Sequence, residues 1–380
     1  MKQISPQELT TWSVRMVEST LQRYTLEQAL WHYEHGLQVM AIQHAAQVTG
    51  EARYMRFVSD WIDNFVRADG NIRTYRVDEY NLDQINAGKL LFGALERTGD
   101  ERYRKALELL REQLRTQPRT KSNGFWHKKI YPYQMWLDGI YMAGPFLAEY
   151  ARRFDEPALF EDVLHQILLI DEHTRDTKTD LLYHAWDESK RQRWADPITG
   201  CSQYFWGRAI GWYVMAIVDV LDHLPRDQAR RQDLIAILNR TARALVQVQD
   251  EGTGLWYQIL DLHEREGNYL EASASAMFVY AFAKGVRAGY LTQEFLLPAR
   301  RGYHGLLQNL IKIDSLGLLT LEKVCGSAGL GGEPYRDGSF EYYVSEKIIP
   351  NDPKGVGPFI LAALEMESAE ADIRQGDELP

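Results

Sequence analysis

The chain has 380 residues and a net charge of −10; 25% of its residues are charged and 45% are apolar. This composition is typical of a globular protein, and the acidic balance argues against nucleic acid or an anionic membrane as a partner. No apolar run reaches the roughly eighteen residues of a membrane span, and the opening residues MKQISPQELT lack a signal-peptide pattern. We therefore expect a cytoplasmic protein that is a monomer or a weak homodimer.

Helical periodicity dominates the chain, whereas the alternation typical of strands is scarce. It predicts twelve helices, over residues 8–22, 27–49, 51–66, 83–98, 101–115, 133–154, 157–173, 204–223, 226–250, 271–288, 291–312 and 355–368. Short turns such as VTGEARY and RTGDERY join the helices in pairs, with a glycine stop followed by an acidic helix start. Long loops separate the pairs, over residues 67–82, 116–132, 174–203, 251–270 and 313–354.

This alternation of short and long connections predicts the fold. Six helical hairpins that close into a ring form an (α/α)6 barrel, an all-α fold, and we predict one such domain over residues 1–380. The first and last helices are left over by the pairing, so they are expected to pack on each other. An open solenoid of helical pairs is the alternative, but solenoid repeats are more uniform and have more polar ends. Pro145 is expected to kink the helix predicted over 133–154, unless that helix starts later than predicted.

In such a ring the long loops, and the helix starts that follow them, meet at one end, which we call the mouth. Functional sites are usually built on loops held by a rigid scaffold. The sequence places these unusual residues there: Tyr33, Asp83, Asp138, His184, Trp206, Arg208, Trp212 and Glu271. Each has a structural alternative. Asp83 and Glu271 can cap their helices, His184 can be a buried structural histidine, and Arg208 can tie loops together.

Asp138 is the residue hardest to explain structurally, because it lies in the apolar stretch YPYQMWLDGIYMAGPF and too deep in its predicted helix to be an N-cap. Its neighbours at helical spacing, Gln134, Met135, Tyr141 and Met142, include no cation. A carboxylic acid in such surroundings retains its proton more readily, as a general acid near neutral pH requires.

Other motifs are less informative. His127, Lys128 and Lys129 form a local cationic patch that can meet an anionic ligand or simply be solvated. The two cysteines, Cys201 and Cys325, are isolated and suggest neither a metal site nor a disulfide. No metalloprotease, nucleophile-elbow or P-loop pattern is present.

Several long segments carry a family resemblance. YNLDQINAGKLLF, QMWLDGIYMAGPFLAEYA, FWGRAIGWYVMAIVDVL, EASASAMFVYAFAKG and KGVGPFILAALE extend over nearly the whole chain. Together they resemble the unsaturated rhamnogalacturonyl hydrolases of glycoside hydrolase family 105. That resemblance implies an (α/α)6 barrel acting on short pectin fragments left by lyases, which carry a 4,5-unsaturated galacturonic acid linked to rhamnose.

The resemblance also implies an unusual hydrolysis, in which the C4=C5 enol ether is hydrated and the anomeric carbon is not attacked. The distance rule for the carboxylate pairs of ordinary glycosidases therefore does not apply. By motif, Asp138 matches the catalytic acid and base, and Asp83 matches the second family aspartate, which raises the proton affinity of Asp138 or holds sugar hydroxyls. Residues matching substrate-lining positions are Tyr33, Lys128, His184, Trp206, Arg208 and Trp212, with Arg208 opposite the uronate carboxylate. No metal or cofactor is implied.

Three other functions remain open from the sequence. An unsaturated glucuronyl hydrolase would use the same fold and chemistry on glycosaminoglycan fragments. A sugar epimerase on the same fold would need two histidines at the mouth, where the sequence offers one good candidate, His184. A carbohydrate-binding barrel without activity would need the aromatic residues but not Asp138.

Overall fold

The computed structural model describes residues 11–377, with side-chain surroundings up to residue 371. The helices are α1 (Trp12–Arg23), α2 (Tyr33–Thr49), α3 (Ala52–Asp63), α4 (Lys89–Thr98), α5 (Glu101–Thr116), α6 (Leu137–Arg153), α7 (Ala158–Thr174), α8 (Gly207–Leu221), α9 (Arg231–Gln247), α10 (Ala272–Arg287), α11 (Leu296–Gly305), α12 (Phe340–Ser345) and α13 (Pro353–Asp377). Two antiparallel strand pairs join β1 (Gln134–Trp136) to β2 (Ala185–Asp187) and β3 (Ile311–Ile313) to β4 (Leu319–Leu321).

Six helices form a closed inner ring, in the order α2, α4, α6, α8, α10 and α13, and α13 packs back against α2. The helices α3, α5, α7, α9 and α11 each cover the inner helix that precedes them, and α1 covers α13. The predicted (α/α)6 barrel is therefore confirmed, including the pairing of the first and last helices, and the open solenoid is excluded. Residues 8–10 of the first predicted helix lie outside the described residues.

The apolar pattern of each helix determines its layer. In α8 every residue except Asp219 is buried, which is typical of a helix surrounded by protein. In α3 the buried residues are Tyr54, Val58, Trp61 and Ile62, a single stripe at helical spacing, so this helix belongs to the outer layer. No helix in the described part of the chain combines the length and apolarity needed to cross a membrane.

Four inner helices begin three or more residues later than predicted: α2 begins at Tyr33 instead of residue 27, α8 at Gly207 instead of residue 204, and α6 and α4 also start late. Residues 134–136 pair with residues 185–187 as strands, so α6 begins at Leu137 and the expected helical neighbours Gln134 and Met135 are not on its surface. Asp138 is therefore the second residue of its helix, and the expectation that it lies deep in the helix was wrong. The helix predicted from residue 83 begins as two 3₁₀ turns, over 82–84 and 86–88, before α4 starts at Lys89.

Helix α6 continues through Pro145, which has no N–H to donate to the carbonyl of Tyr141 four residues earlier. The side-chain Nδ2 of Asn86 donates to that carbonyl instead, at 3.2 Å. A neighbouring inner helix segment thus supplies the hydrogen bond that the proline removes, and α6 remains helical at this point.

A stack of aromatic rings crosses the barrel axis. Tyr33 at the mouth meets the Trp212 ring edge-on at a centroid distance of 5.8 Å, and Trp212 stacks on Tyr141 at 5.0 Å. The ammonium group of Lys89 lies over the Tyr141 ring, 3.8 Å from the ring centroid. Below Lys89, where the inner helices end, a polar cavity of about 240 Å³ opens; we call this end the floor.

Candidate active site

Asp138 and His184 are brought together by the strand pair at the mouth. Asp138 lies two residues after the end of β1, and His184 directly precedes β2, so the register that pairs Trp136 with Ala185 brings the two side chains close together. The backbone N–H of Leu137 also donates to the carbonyl of His184 at 3.1 Å. The side chain of Asp138 is 14% exposed, and its Oδ2 lies 3.2 Å from Nε2 of the fully buried His184.

The distance between Nε2 and Oδ2 suits a hydrogen bond, but the N–H direction is poorly aligned with the oxygen. Catalytic hydrogen bonds are often loose in this way before a substrate is bound. Burial lowers the pKa of His184, and the neighbouring Asp138 opposes this effect only in part. His184 is therefore a neutral imidazole, and its other nitrogen, Nδ1, is 2.7 Å from the hydroxyl of Tyr343.

Asp83 is buried within a cluster of cationic and imidazole groups. Its carboxylate lies 2.6 Å from Nζ of Lys128, 3.3 Å from Nε2 of His127 and 3.8 Å from Nε2 of His32. Burial alone would raise the pKa of Asp83, but these neighbours outweigh burial and hold that pKa well below its usual value. The 3₁₀ turn is capped by Asn81, which accepts from the N–H of Asp83 at 3.0 Å. The Asp83 side chain is thus an ionised acceptor in the mouth rather than a helix cap.

Stacked rings connect the two carboxylate groups of the mouth. The His127 ring lies parallel to Trp136 at a centroid distance of 4.7 Å, and Trp136 meets His184 edge-on at 5.4 Å. A chain of direct contacts therefore runs from Asp83 through His127 and Trp136 to His184 and Asp138. Packing fixes each ring in this chain, so the two carboxylates are held in a defined relative position.

The side chains of Trp206 and Arg208 are almost fully buried beneath the mouth. The Trp206 ring packs 4.7 Å from His184, and its indole N–H donates to Gln258 Oε1 at 3.1 Å. The Arg208 guanidinium donates to the backbone carbonyls of Cys325 and Gly326, the second at 3.3 Å. Two of its nitrogens thus anchor the long loop before α13, while its Nε has no partner among residues 11–371.

Tyr33 and Trp212 form the bottom of the mouth, as members of the aromatic stack across the axis. Tyr33 is the first residue of α2, and its ring also contacts His32 at 4.7 Å, which in turn faces Asp83. The eight residues that the family resemblance singles out, which include Lys128 but not Glu271, therefore belong to one connected group. Glu271 is different: its carboxylate accepts from the N–H of Ala274 at 2.7 Å, so its capping alternative is the observed one.

The sequence did not single out four residues that complete this group: His32, His127 in its contact with Asp83, Trp136 and Tyr343. His127 was visible only as part of a cationic patch, whereas it faces Asp83 because residues 125–127 run beside the 3₁₀ turn. Trp136 lies two residues before Asp138 and was hidden by the assumption of a helix there. Tyr343 lies in the short helix α12, inside a loop with no helical pattern long enough to assign.

Comparisons with known proteins agree with this architecture. The sequence model described as Glycosyl Hydrolase Family 88 matches residues 12–370. A solved glycoside hydrolase from family 105 of C. acetobutylicum is 47% identical, with a TM-score of 0.92 over 94% of this chain and 100% of that chain. Protein Atu3128 of Agrobacterium fabrum is 40% identical over 232 residues, covering 59% of this chain and 97% of that protein.

A third relative has a stated activity. The unsaturated rhamnogalacturonyl hydrolase YesR of Bacillus subtilis is 28% identical over 252 residues, which is 65% of this chain and 68% of that protein. The match to the family model and the likeness to the family 105 structure both extend over nearly the whole chain. The chain therefore belongs to the glycosyl hydrolases of families 88 and 105, and it is a glycoside hydrolase.

Proposed function

We propose that this enzyme removes a 4,5-unsaturated galacturonic acid from the non-reducing end of rhamnogalacturonan fragments. The similarity to YesR supports the sugar, and the buried pair of Asp138 and His184 carries the chemistry. A carboxyl group in contact with a neutral imidazole at the mouth of the barrel can give up a proton and take one back. This exchange is what hydration of a double bond requires.

The reaction proceeds through addition of water to the C4=C5 bond. Asp138 transfers its proton to C4, and positive charge develops at C5 and the ring oxygen. A water molecule adds at C5 and loses a proton to the Asp138 carboxylate, which restores the acid. The resulting hemiketal opens to a ketone at C5, and the aglycone is released from C1. No bond to an enzyme atom is formed, so a second carboxylate nucleophile is not needed.

Asp83 serves as an acceptor for sugar hydroxyls in this scheme. Because Lys128 and His127 hold its pKa well below the usual value, it stays ionised and is a poor proton donor. The same neighbours offset its charge, so it has little influence on Asp138 through repulsion. Of the two roles expected from the sequence, binding of hydroxyls is therefore favoured over raising the proton affinity of Asp138.

The electrostatics of the mouth favour an anionic sugar. The inner helices begin at this end, so the positive ends of their dipoles face the substrate. Arg208 adds a buried guanidinium beside Trp206, 5.0 Å from its ring centroid, and Lys128 adds an ammonium whose side chain is 21% exposed. The uronate carboxylate interacts with this positive end, and Nε of Arg208, which has no acceptor among residues 11–371, is the donor proposed for it.

The test follows the ultraviolet absorbance of the unsaturated uronide, which disappears when the double bond is hydrated. The wild type should bleach an unsaturated galacturonyl-rhamnose disaccharide, and Asp138→Asn should lower kcat by about 10³-fold or more while the circular dichroism spectrum is unchanged. Asp162→Asn, in a half-buried ion pair with Arg119 on the outer layer, is the matched control and should retain activity. Normal bleaching by Asp138→Asn would refute the mechanism.

The same assay decides the substrate. If an unsaturated chondroitin disaccharide is bleached with a higher kcat/KM, the enzyme is an unsaturated glucuronyl hydrolase. If neither substrate is bleached but a saturated sugar changes configuration, the epimerase alternative is correct.

A further inference from the structure

The hydroxyl of Tyr343 has a single hydrogen-bond partner among the described side chains, and that partner is His184. The oxygen lies 2.7 Å from Nδ1, and both residues are fully buried. Gln258 fixes the backbone at this point by donating to the Tyr343 carbonyl at 3.0 Å, and the Tyr343 ring packs 6.0 Å from Trp206. The hydroxyl is therefore held in place from the side of the ring opposite Asp138.

The direction of this hydrogen bond follows from what each group can satisfy. His184 is neutral and carries one ring proton, on either Nδ1 or Nε2. If Nδ1 carried the proton and donated to Tyr343, the tyrosine O–H would be buried without an acceptor, which is unfavourable. If Tyr343 donates to Nδ1, the ring proton is on Nε2, and the nearest acceptor is Oδ2 of Asp138 at 3.2 Å. The tyrosine hydroxyl is then satisfied, and the ring proton needs only a small reorientation to reach its acceptor.

We propose that Tyr343 is a positioning residue, which fixes the Nε2–H tautomer of His184 and thereby directs the acid proton of Asp138 to its Oδ1. Oδ2 is the oxygen that faces the Nε2–H group at 3.2 Å, so the proton of the carboxylic acid belongs on the other oxygen. His184 keeps the same proton throughout the cycle, and Asp138 alone exchanges protons with the substrate and water. This inference rests on the proposed role of Asp138.

Without the Tyr343 hydroxyl, Nδ1 can carry the ring proton and Nε2 can accept. The acid proton of Asp138 can then lie on Oδ2, donated to His184, where it is withheld from C4. Substrate contacts are not altered by this change. Loss of the hydroxyl should therefore reduce the chemical step and leave substrate binding largely as it was.

The experiment combines kinetics with the tautomer of His184. Tyr343→Phe should lower kcat about 10- to 100-fold, with KM within about twofold of the wild-type value. In protein labelled with ¹⁵N-histidine, the His184 signals, identified by their loss in His184→Asn, should show Nε2–H in the wild type. In Tyr343→Phe that signature should be lost or mixed with Nδ1–H. Tyr213→Phe is the matched control, because it removes a buried hydroxyl 3.2 Å from Asp171 and should change neither measurement.

Three results would overturn the inference: an Nδ1–H signature in the wild type, an unchanged tautomer in Tyr343→Phe, or an unchanged kcat in that variant. If Tyr343→Phe does not fold, the tautomer of His184 in the wild type still tests the inference, because Nε2–H supports it and Nδ1–H refutes it. A fully active Asp138→Asn would instead refute the proposed function, and with it the acid-proton step. The two failures are thus distinguishable, because the tautomer is measured without turnover.

Discussion

Both ends of the barrel bury charged side chains, but they balance the charges differently. At the floor, Lys284 lies 2.7 Å from both Asp219 and Asp222, and Arg153 pairs with Glu149 at 2.7 Å. At the mouth, Asp83 is paired with Lys128, whereas the one titratable group paired with Asp138 among residues 11–371 is the neutral imidazole of His184.

The inner helices end at the floor, where their dipoles favour cations, and short turns close this end. They begin at the mouth, where long loops bring in residues from distant parts of the chain. Buried charge alone therefore does not mark an active site in this fold. The distinguishing feature is an acid without a cationic partner, next to a group that can hold a proton without carrying charge.

The largest expected effect is on stability, at the floor. Asp219→Asn removes a carboxylate that accepts from both Lys284 and Tyr280. Among the described residues, the buried ammonium then keeps Asp222 as its one carboxylate partner and the Tyr280 hydroxyl at 3.0 Å as a neutral one. Breaking a buried pair in this way should lower the free energy of unfolding by about 3–5 kcal/mol. Urea denaturation measures this change. The kcat of the folded fraction should stay at the wild-type value, and a matching loss of kcat would show that the two ends are coupled.

The next effect concerns Lys89, whose ammonium has no hydrogen-bond partner among the described residues. Burial lowers the pKa of Lys89 from 10.5 to about 8. Between these values the unfolded chain binds the extra proton, so the stability of the wild type should rise with pH across this range, by about 3 kcal/mol from this residue. Below pH 8 Lys89 is protonated in the folded protein as well, so the full cost of burying its charge lowers the stability.

Lys89→Met should remove that rise, with unfolding followed at pH 7 and pH 10. At pH 7 the variant should have a higher free energy of unfolding than the wild type. The gain is reduced by the energy of the lost contact between the Lys89 ammonium and the Tyr141 ring. Parallel pH profiles for the two proteins would show that the buried group does not titrate in this range.

At the mouth, Asp83→Asn should act mainly on activity. It replaces an ionised acceptor by a neutral one, and a hydrogen bond to a charged group contributes about 1.5–3 kcal/mol, so kcat/KM should fall roughly 10- to 100-fold. The free energy of unfolding should change less than in Asp219→Asn, because Lys128 is partly exposed and can be hydrated again. If Asp83→Asn and Asp219→Asn lowered the free energy of unfolding equally, the proposed difference between the mouth and the floor would be wrong.

The smallest effect is expected from Tyr33→Phe. The variant keeps the ring that packs on Trp212 and loses only the hydroxyl, so KM for the unsaturated disaccharide should rise about 2- to 10-fold with kcat nearly unchanged. Initial rates over a range of substrate concentrations give both constants. A large fall in kcat would assign Tyr33 a part in the chemical step.

The sequence was sufficient for the fold because helical periodicity and loop length are local properties. Short turns and long loops alternate visibly, and closure of the ring follows from the number of pairs. The convergence of Asp83, Asp138, His184 and Arg208 was predictable for the same reason, since the topology alone brings helix starts and loops to one end.

The sequence could not predict contacts between residues that are far apart along the chain. The start of α6 is set by strand residues 185–187, about fifty positions away, so local periodicity placed Asp138 too deep in the helix. The anchoring of Arg208 on Cys325 and Gly326 depends on the path of a long loop without periodic structure. The contact of Tyr343 with His184 depends on the same loop.

The short ribbon of β1 and β2 has a consequence for how this enzyme can diversify. Three paired residues on each strand hold the proposed proton-transfer pair as one unit, and residues 200–202 close the other edge of β2. There the N–H of Asp187 donates to the carbonyl of Gly200 at 2.8 Å, so residues 188–199 form a loop whose two ends are fixed beside the ribbon. Insertions or exchanges at exposed positions of this loop, such as Ile198, can change its length and surface while both edges of β2 stay paired. The surface near the mouth can therefore vary while the proposed machinery for adding water is inherited unchanged.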